Sequence, residues 1–175
     1  MYQEGRKGEI EMDLDYKEFE NKSLLYAYLH EQLRLIGAET SDFGAVLANA
    51  AALLKLQLKS VNWAGFYLLK KERLVLGPFQ GKPAVAEIVV GTGVCGTAVQ
   101  ERKTQLVADV HTCCNHIACD LVTNSEIVTP IFLHNEVVGV IDIDSPEPER
   151  FDHEDVVGLE EFAVILASFM ESELT

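Results

Sequence analysis

The residues best suited to chemistry are concentrated in one stretch, from Asp109 to Glu126, which reads DVHTCCNHIACDLVTNSE. Thiols, imidazoles and carboxylates at this density are poor core-building groups, because each costs free energy when it is buried without a partner. The stretch has no sustained period of 2 or 3.6 residues, so we predict a loop with at most a short helical turn. Loops held by a rigid scaffold commonly carry catalytic groups.

Cys119 is the strongest candidate for a nucleophile in this stretch. A reactive cysteine works as the thiolate, which is favoured by positive charge, a histidine or a helix N-terminus. His116 lies three residues before Cys119, within one turn if this piece is helical, whereas Asp120 opposes ionisation. A small buried hydrophobic residue is the alternative interpretation, since that is the commonest fate of a free cysteine. Spacing alone leaves both open.

Cys95 lies in GTGVCGTAV, where the flanking glycines allow the backbone to approach another element closely. It is a candidate resolving thiol, which would attack a sulfenic acid on Cys119 and form a disulfide. A packed cysteine at a helix start explains the same residues, and the sequence does not choose between them. The glycines match neither the dinucleotide nor the P-loop pattern, so they do not indicate a nucleotide site.

A zinc site is a further possibility for the cysteine-rich stretch. Its potential ligands are His111, Cys113, Cys114, His116 and Cys119. Structural zinc usually takes four ligands in CxxC-like pairs, whereas Cys113 and Cys114 are adjacent, which makes joint tetrahedral ligation awkward. We therefore expect no bound metal.

Acids and aromatic residues on the apolar strands suggest a small-ligand pocket. Side chains alternate along a strand, so Asp142 and Asp144 in IDIDS point to one face, and Glu126 begins another apolar run. Such carboxylates can bind an ammonium group, or one can hold a raised pKa and donate a proton; a solvated outer face is the alternative. Trp63 and Tyr67 share a face and predict a pocket wall with indole N–H and phenol O–H as polar handles, with core packing as the alternative.

The elements that position these groups follow from the hydrophobic periods. Helical spacing predicts helices over roughly 16–36, ending at Gly37, and over 42–59, 94–102 and 151–173. Short runs rich in β-branched and aromatic residues predict strands over 61–69, 74–77, 86–90, 105–108, 127–133 and 137–143, the last two as a hairpin. This order indicates an α+β fold: a central antiparallel sheet with the N- and C-terminal helices packed on one face.

Length and composition limit the organisation and the partners. We predict a loose or disordered arm over residues 1–15 and a single domain over residues 16–175. The net charge of −14 disfavours nucleic acid and anionic membrane surfaces as partners. The polar, acidic start does not resemble a secretory signal, so we expect a cytoplasmic protein whose cysteines serve catalysis or redox chemistry. The acids that crowd the segment after Arg150 are expected to form a solvated helix face.

Seven motifs, in their order and spacing, resemble the free methionine-(R)-sulfoxide reductases, which are built on a GAF domain: NWAGFYLL, LVLGPFQGK, GTGVCGTAV, QLVADVH, HIACD, NSEIV and GVIDIDS. The similarity spans roughly residues 61–151, and HIACD, NSEIV and IDIDS are its discriminating part. It implies a cytosolic enzyme that reduces the R epimer of free methionine sulfoxide, has no bound cofactor, is restored by thioredoxin and forms a homodimer. The alternative is a GAF-type sensor that binds a small ligand or responds to redox state without turnover.

By motif, the resemblance makes Cys119 the nucleophile and Cys95 its resolving partner. It places five further residues around the substrate: Trp63, Tyr67, Glu126, Asp142 and Asp144. Two departures from the family pattern stand out. A third cysteine is expected where this chain has Val85, and Cys113 and Cys114 fall outside the pattern.

Overall fold

The computed structural model describes residues 15–112 and 122–173. The predicted nucleophile Cys119 lies outside these ranges, as do Cys113, Cys114 and His116. The predicted arm over residues 1–15 also falls almost entirely outside them and stays a prediction.

Six strands of the described residues form one antiparallel sheet in the order β3-β2-β1-β6-β5-β4. Their bounds are β1 Trp63–Lys70, β2 Arg73–Gln80, β3 Glu87–Val89, β4 Gln105–Val107, β5 Ser125–Leu133 and β6 Glu136–Ser145. His134 and Asn135 join β5 to β6 with φ of 49° and 64°, the positive pair that a tight hairpin needs. The predicted hairpin is confirmed.

Three long helices cover one face of the sheet: α1 Lys22–Glu39, α2 Phe43–Gln57 and α4 His153–Glu173. Leu29, Leu54 and Phe162 from these helices pack against Phe66 and Ile141 of the sheet in the main core. A short helix, α3 Gly93–Glu101, lies on the other face and belongs to a second core cluster. The predicted α+β fold, with N- and C-terminal helices on one face, is confirmed.

The helix α1 differs from its predicted bounds at both ends. It begins at Lys22, because the Asn21 side chain accepts a hydrogen bond from the Leu24 backbone N–H at 3.0 Å and caps the first turn. Gly37 does not stop the helix. A Cβ atom there would lie 2.1 Å from Cζ of Phe169, so this glycine makes room for an aromatic ring.

Helical spacing in the sequence predicts that Leu24 and Val157 face inward, but both side chains are exposed. Leu24 at the start of α1 is 49% exposed, and Val157 near the start of α4 is 54% exposed. Both lie within five residues of a helix start, where the helical face that meets the core depends on neighbouring elements that the sequence period does not reveal.

Asp155 is the exception to the predicted solvated acidic face on the last helix, whose other acids up to Glu161 are exposed. Its side chain is completely buried, and it accepts hydrogen bonds from the Tyr26 hydroxyl at 2.9 Å and from Lys22 Nζ at 2.5 Å. Arg150 adds an ion pair at 3.4 Å. Burial, together with the charge of Asp155, raises the pKa of Tyr26. Two cations and a hydroxyl therefore compensate one carboxylate that joins α1 to α4.

Across the described ranges, every helix is too short or too polar to cross a membrane.

Candidate active site

The sheet face opposite the three long helices carries the predicted site residues. Antiparallel register sets Trp63 opposite Asp144, and Gly65 opposite Asp142, across β1 and β6. It also sets Glu126 opposite Asp144 across β5 and β6. Because directly opposite residues share a face, these side chains emerge on one side of the sheet. The predicted same-face placement of Asp142 and Asp144 is confirmed.

Helix α3 covers this face and brings Cys95 to it. Cys95 packs in the second core cluster together with Trp63 and Tyr67. The close approach predicted for the glycines holds at Gly96, where a Cβ atom would lie 2.6 Å from the Val89 carbonyl oxygen. Gly96 therefore lets α3 settle against the end of β3.

Cys95 meets the acids directly. Its Sγ donates a hydrogen bond to Asp142 Oδ2 at 3.3 Å. One atom each from Cys95, Glu126 and Asp142 lies within 4.8 Å of the others. Asp142 and Asp144 are only 8% and 7% exposed, so the alternative of a solvated outer face is wrong.

The electrostatics of this cluster favour the protonated forms of Cys95 and Asp142. Burial raises the pKa of the Cys95 thiol well above its usual value, and the charges of Asp142 and Glu126 raise it further. Burial also raises the pKa of Asp142 to about 6, although its hydrogen bonds with Cys95 and Glu126 partly offset this. The N-terminus of α3 favours a thiolate at Cys95, but desolvation and the two acids outweigh it. With its pKa raised in this way, Cys95 is a protonated thiol at neutral pH.

Trp63 and Tyr67 form an aromatic wall beside the acids. Their ring centroids are 6.1 Å apart, and Trp63 also stacks on Phe79 at 5.3 Å. Their polar atoms are not free handles for a ligand. Trp63 Nε1 donates to the Lys82 carbonyl at 3.1 Å, and the Tyr67 hydroxyl donates to the Val85 carbonyl at 2.9 Å. Both hydrogen bonds instead hold the segment between β2 and β3 across the wall.

Three comparisons place this arrangement among known proteins. The GAF domain family matches residues 29–169. The chain is 49% identical over 146 residues to the free methionine-R-sulfoxide reductase of Escherichia coli strain K12, which covers 83% of this chain and 88% of that protein. It is 47% identical over 128 residues to the enzyme of the same name from Saccharomyces cerevisiae, covering 69% of this chain and 71% of that protein.

A solved structure gives the same answer. The X-ray structure of free methionine-R-sulfoxide reductase from Neisseria meningitidis, in complex with its substrate, superposes with a TM-score of 0.88 at 38% identity. The superposition covers 94% of this chain and 98% of that one.

The chain belongs to the free methionine-R-sulfoxide reductases, a GAF-domain family.

This membership confirms the resemblance predicted from the seven motifs. Val85, the position at which the resemblance predicts a third cysteine, lies on the segment held by Trp63 and Tyr67. Its carbonyl is occupied by Tyr67, and its side chain is 37% exposed. Position 85 therefore carries an apolar side chain at the edge of the aromatic wall, and a disulfide route through it is closed in this reductase.

The residues at the two ends of the reductase's cysteine-rich stretch are tied together. His111 Nε2 lies 3.0 Å from Asn124 Oδ1, and the Val110 backbone N–H donates to the Asn124 carbonyl at 3.0 Å. Asn124 Nδ2 donates to the Pro146 carbonyl at 2.7 Å, which anchors the pair to the end of β6. Val110–Thr112 forms a short 3-10 turn, as the sequence predicts for part of this stretch. Of the zinc ligands considered from sequence, only His111 falls within the described ranges.

Sequence reasoning missed Phe79, Gly65 and Asn124. Phe79 sits in LVLGPFQGK and stacks on the indole, and Gly65 leaves the space for that stack. A Cβ atom at Gly65 would lie 2.4 Å from Cβ of Phe79 and 2.7 Å from Cη2 of Trp63. A glycine between two aromatic residues of one strand was the available signal.

Proposed function

We propose that this chain reduces free L-methionine-(R)-sulfoxide to L-methionine through a cysteine thiolate, a sulfenic acid and a disulfide. The observation that carries this proposal is the contact of the buried Cys95 thiol with Asp142, beside Glu126, on one sheet face. The substrate class comes from the relatives named above, which are oxidoreductases of this type.

Cys119 takes the first step. Its thiolate attacks the sulfur of the sulfoxide while the sulfoxide oxygen is protonated, with Glu126 as the first candidate for supporting that protonation. The oxygen passes to Cys119 as a sulfenic acid, and the methionine thioether leaves. The sulfoxide sulfur gains two electrons and the cysteine sulfur loses two, so the step balances.

Asp142 and Asp144 hold the ammonium group of the free amino acid. Two buried carboxylates on one strand face give that cation a charged partner in place of water. A residue within a peptide lacks the ammonium group, which explains a preference for the free amino acid. Trp63 and Tyr67 contribute their ring faces to the wall of the pocket rather than their polar atoms.

Cys95 takes the second step. It condenses with the sulfenic acid on Cys119, forming a disulfide and releasing water. Attack requires the thiolate, and Asp142 already accepts the Cys95 hydrogen, so its carboxylate is placed to take the proton. Asp142 is released for this task once methionine and its ammonium group have left.

An external dithiol closes the cycle, and thioredoxin is the reductant that we propose. No bound cofactor is required, because the electrons enter as a dithiol and leave with the substrate oxygen as water. A reducing compartment suits this cycle, and we place the enzyme in the cytoplasm. We also propose a homodimer, on the resemblance to the family alone.

Oxidation of NADPH, coupled through thioredoxin and thioredoxin reductase, tests this function with each sulfoxide epimer. We expect turnover with the free R epimer and none with the S epimer, the loss of turnover in Cys119→Ser, and normal turnover in Cys113→Ser as the matched control. Cys95→Ser should release about one methionine per chain and then stop with thioredoxin. Binding of the sulfoxide without NADPH oxidation would support the sensor alternative. One bound zinc per chain, whose removal unfolds the protein, would support a zinc-binding module.

A further inference from the structure

A thiol and two carboxylates in one buried cluster also form a donor set for a metal ion. Cys95 Sγ, a Glu126 oxygen and an Asp142 oxygen lie within 4.8 Å of one another, and all three residues are buried. Zn²⁺ accepts thiolate and carboxylate ligands in a tetrahedral shell, whereas Mg²⁺ and Ca²⁺ prefer oxygen ligands. The mixed set therefore favours Zn²⁺ or a similar ion.

The contact between Cys95 and Asp142 has the spacing of two ligands on one zinc ion. With Zn–S of about 2.3 Å and Zn–O of about 2.0 Å, sulfur and oxygen in a tetrahedral shell stand about 3.5 Å apart. The separation between Cys95 Sγ and Asp142 Oδ2 is 3.3 Å. A Glu126 oxygen completes the set, because it lies within 4.8 Å of a ligand atom of each of the other two residues.

Asp142 is hydrogen-bonded to Cys95 and Glu126, but one of its two oxygens has room for a further ligand. It is more than nine-tenths buried, yet its Oδ1 atom has no hydrogen-bond partner within the described ranges. Burying a polar atom in this way is costly, and most such atoms in folded proteins find a partner. This oxygen belongs to the same cluster as the thiol, where a cation would satisfy it.

We propose that Cys95, Glu126 and Asp142 bind Zn²⁺ or a similar divalent cation, and that the bound ion reversibly blocks the reaction cycle. On binding, the Cys95 thiol releases its proton to solvent and the sulfur gives an electron pair to the metal, so no oxidant or reductant is consumed. Water takes the fourth position. The block rests on the proposed function, because the ion occupies the resolving sulfur and the carboxylates assigned to the substrate.

Cobalt(II) tests this site directly, because its absorption spectrum reports its ligands. The chain has four cysteines, so the combined variant Cys113→Ser, Cys114→Ser and Cys119→Ser keeps Cys95 alone and removes the competing thiols. We expect Co²⁺ to give this protein a sulfur-to-cobalt charge-transfer band that saturates at one ion per chain. Zn²⁺ should displace the Co²⁺, since it binds the same ligands more tightly.

Two further substitutions, each made in the protein that keeps only Cys95, remove one negative charge but are expected to differ in their effect on Co²⁺ affinity. Asp142→Asn removes a ligand and should weaken Co²⁺ binding about tenfold or more. Glu136→Gln removes an exposed acid beside the β5–β6 turn and should leave the affinity unchanged. Circular dichroism verifies that each variant folds, and Glu126→Gln replaces Asp142→Asn if that variant does not.

Absence of the charge-transfer band in the protein that keeps only Cys95 would overturn the metal proposal. So would equal Co²⁺ affinity in the ligand variant and its parent. Neither result touches the proposed reductase activity, which is measured separately with the wild-type chain in the presence of a chelator.

Discussion

Glu126 and Asp144 stand directly opposite one another on the neighbouring strands β5 and β6, and both are buried. Like charges in this position destabilise an antiparallel pair. Stability alone gives no reason for two acids here, whereas the proposed site for the ammonium group of a free amino acid does. Departures from local folding preference are expected at functional sites.

Glu126→Gln should therefore separate activity from stability. We expect kcat/KM for free methionine-(R)-sulfoxide to fall about 100-fold or more, because the group assigned to protonation is lost. The free energy of unfolding in urea should stay constant or rise by about 0.5 kcal/mol, because one of two like charges that face each other is removed. Glu136→Gln is the matched control and should change neither quantity. Activity that remains within threefold of wild type would remove Glu126 from the mechanism.

Asp142→Asn should change how stability depends on pH. The pKa of Asp142 in the folded protein is raised to about 6 from an ordinary value of 3.8, so no buried charge has to be stabilised while the group is neutral at low pH. As the pH rises through about 6, the folded wild type must hold a buried charge and loses stability relative to the variant, by on the order of 1–3 kcal/mol. Urea unfolding at about pH 4.5 and about pH 7.5, with a chelator present, measures this difference. A difference that shrinks as the pH rises would contradict the raised pKa.

Gly65→Ala should disturb the aromatic wall. The new Cβ atom would press on Phe79 and on Trp63, and overpacking of this kind costs about 1–3 kcal/mol. Trp63 is the one tryptophan in the sequence, so its fluorescence reports the wall directly. We expect a lower melting temperature and a shifted emission maximum. Gly44→Ala, at an exposed position in α2, is the control and should leave the emission unchanged; an unshifted emission in Gly65→Ala would show that the wall tolerates a side chain there.

Asp155→Asn should destabilise the whole domain. The substitution leaves Lys22 and Arg150 without their shared buried partner, and breaking such a pair costs about 3 kcal/mol or more. Glu154→Gln removes a neighbouring exposed acid from the same helix and should change stability by less than about 0.5 kcal/mol. Urea unfolding of both variants measures the contrast. Equal effects of the two substitutions would indicate that Asp155 behaves as a solvated surface acid, as the sequence predicted.

The sequence predicts the strands and most helices because their hydrophobic periods are local. It also predicts that Asp142 and Asp144 share a face, since alternation along one strand requires it. It does not predict the contact between Cys95 and Asp142, which are 47 positions apart and meet only because α3 crosses the sheet. Nor does it reveal that the polar atoms of Trp63 and Tyr67 donate hydrogen bonds to backbone carbonyls, or that Asp155 is buried. These contacts depend on partners that are distant along the chain.

The disulfide formed in a single turnover is the most direct test of the central claim, that Cys119 attacks the substrate and Cys95 resolves it. Reduced, metal-free enzyme is mixed with one equivalent of free methionine-(R)-sulfoxide, alkylated and digested, and its linked peptides are identified by mass. We predict a bond between Cys95 and Cys119, with Cys113 and Cys114 alkylated. A bond from Cys119 to Cys113 or Cys114, with Cys95 alkylated, would contradict the account.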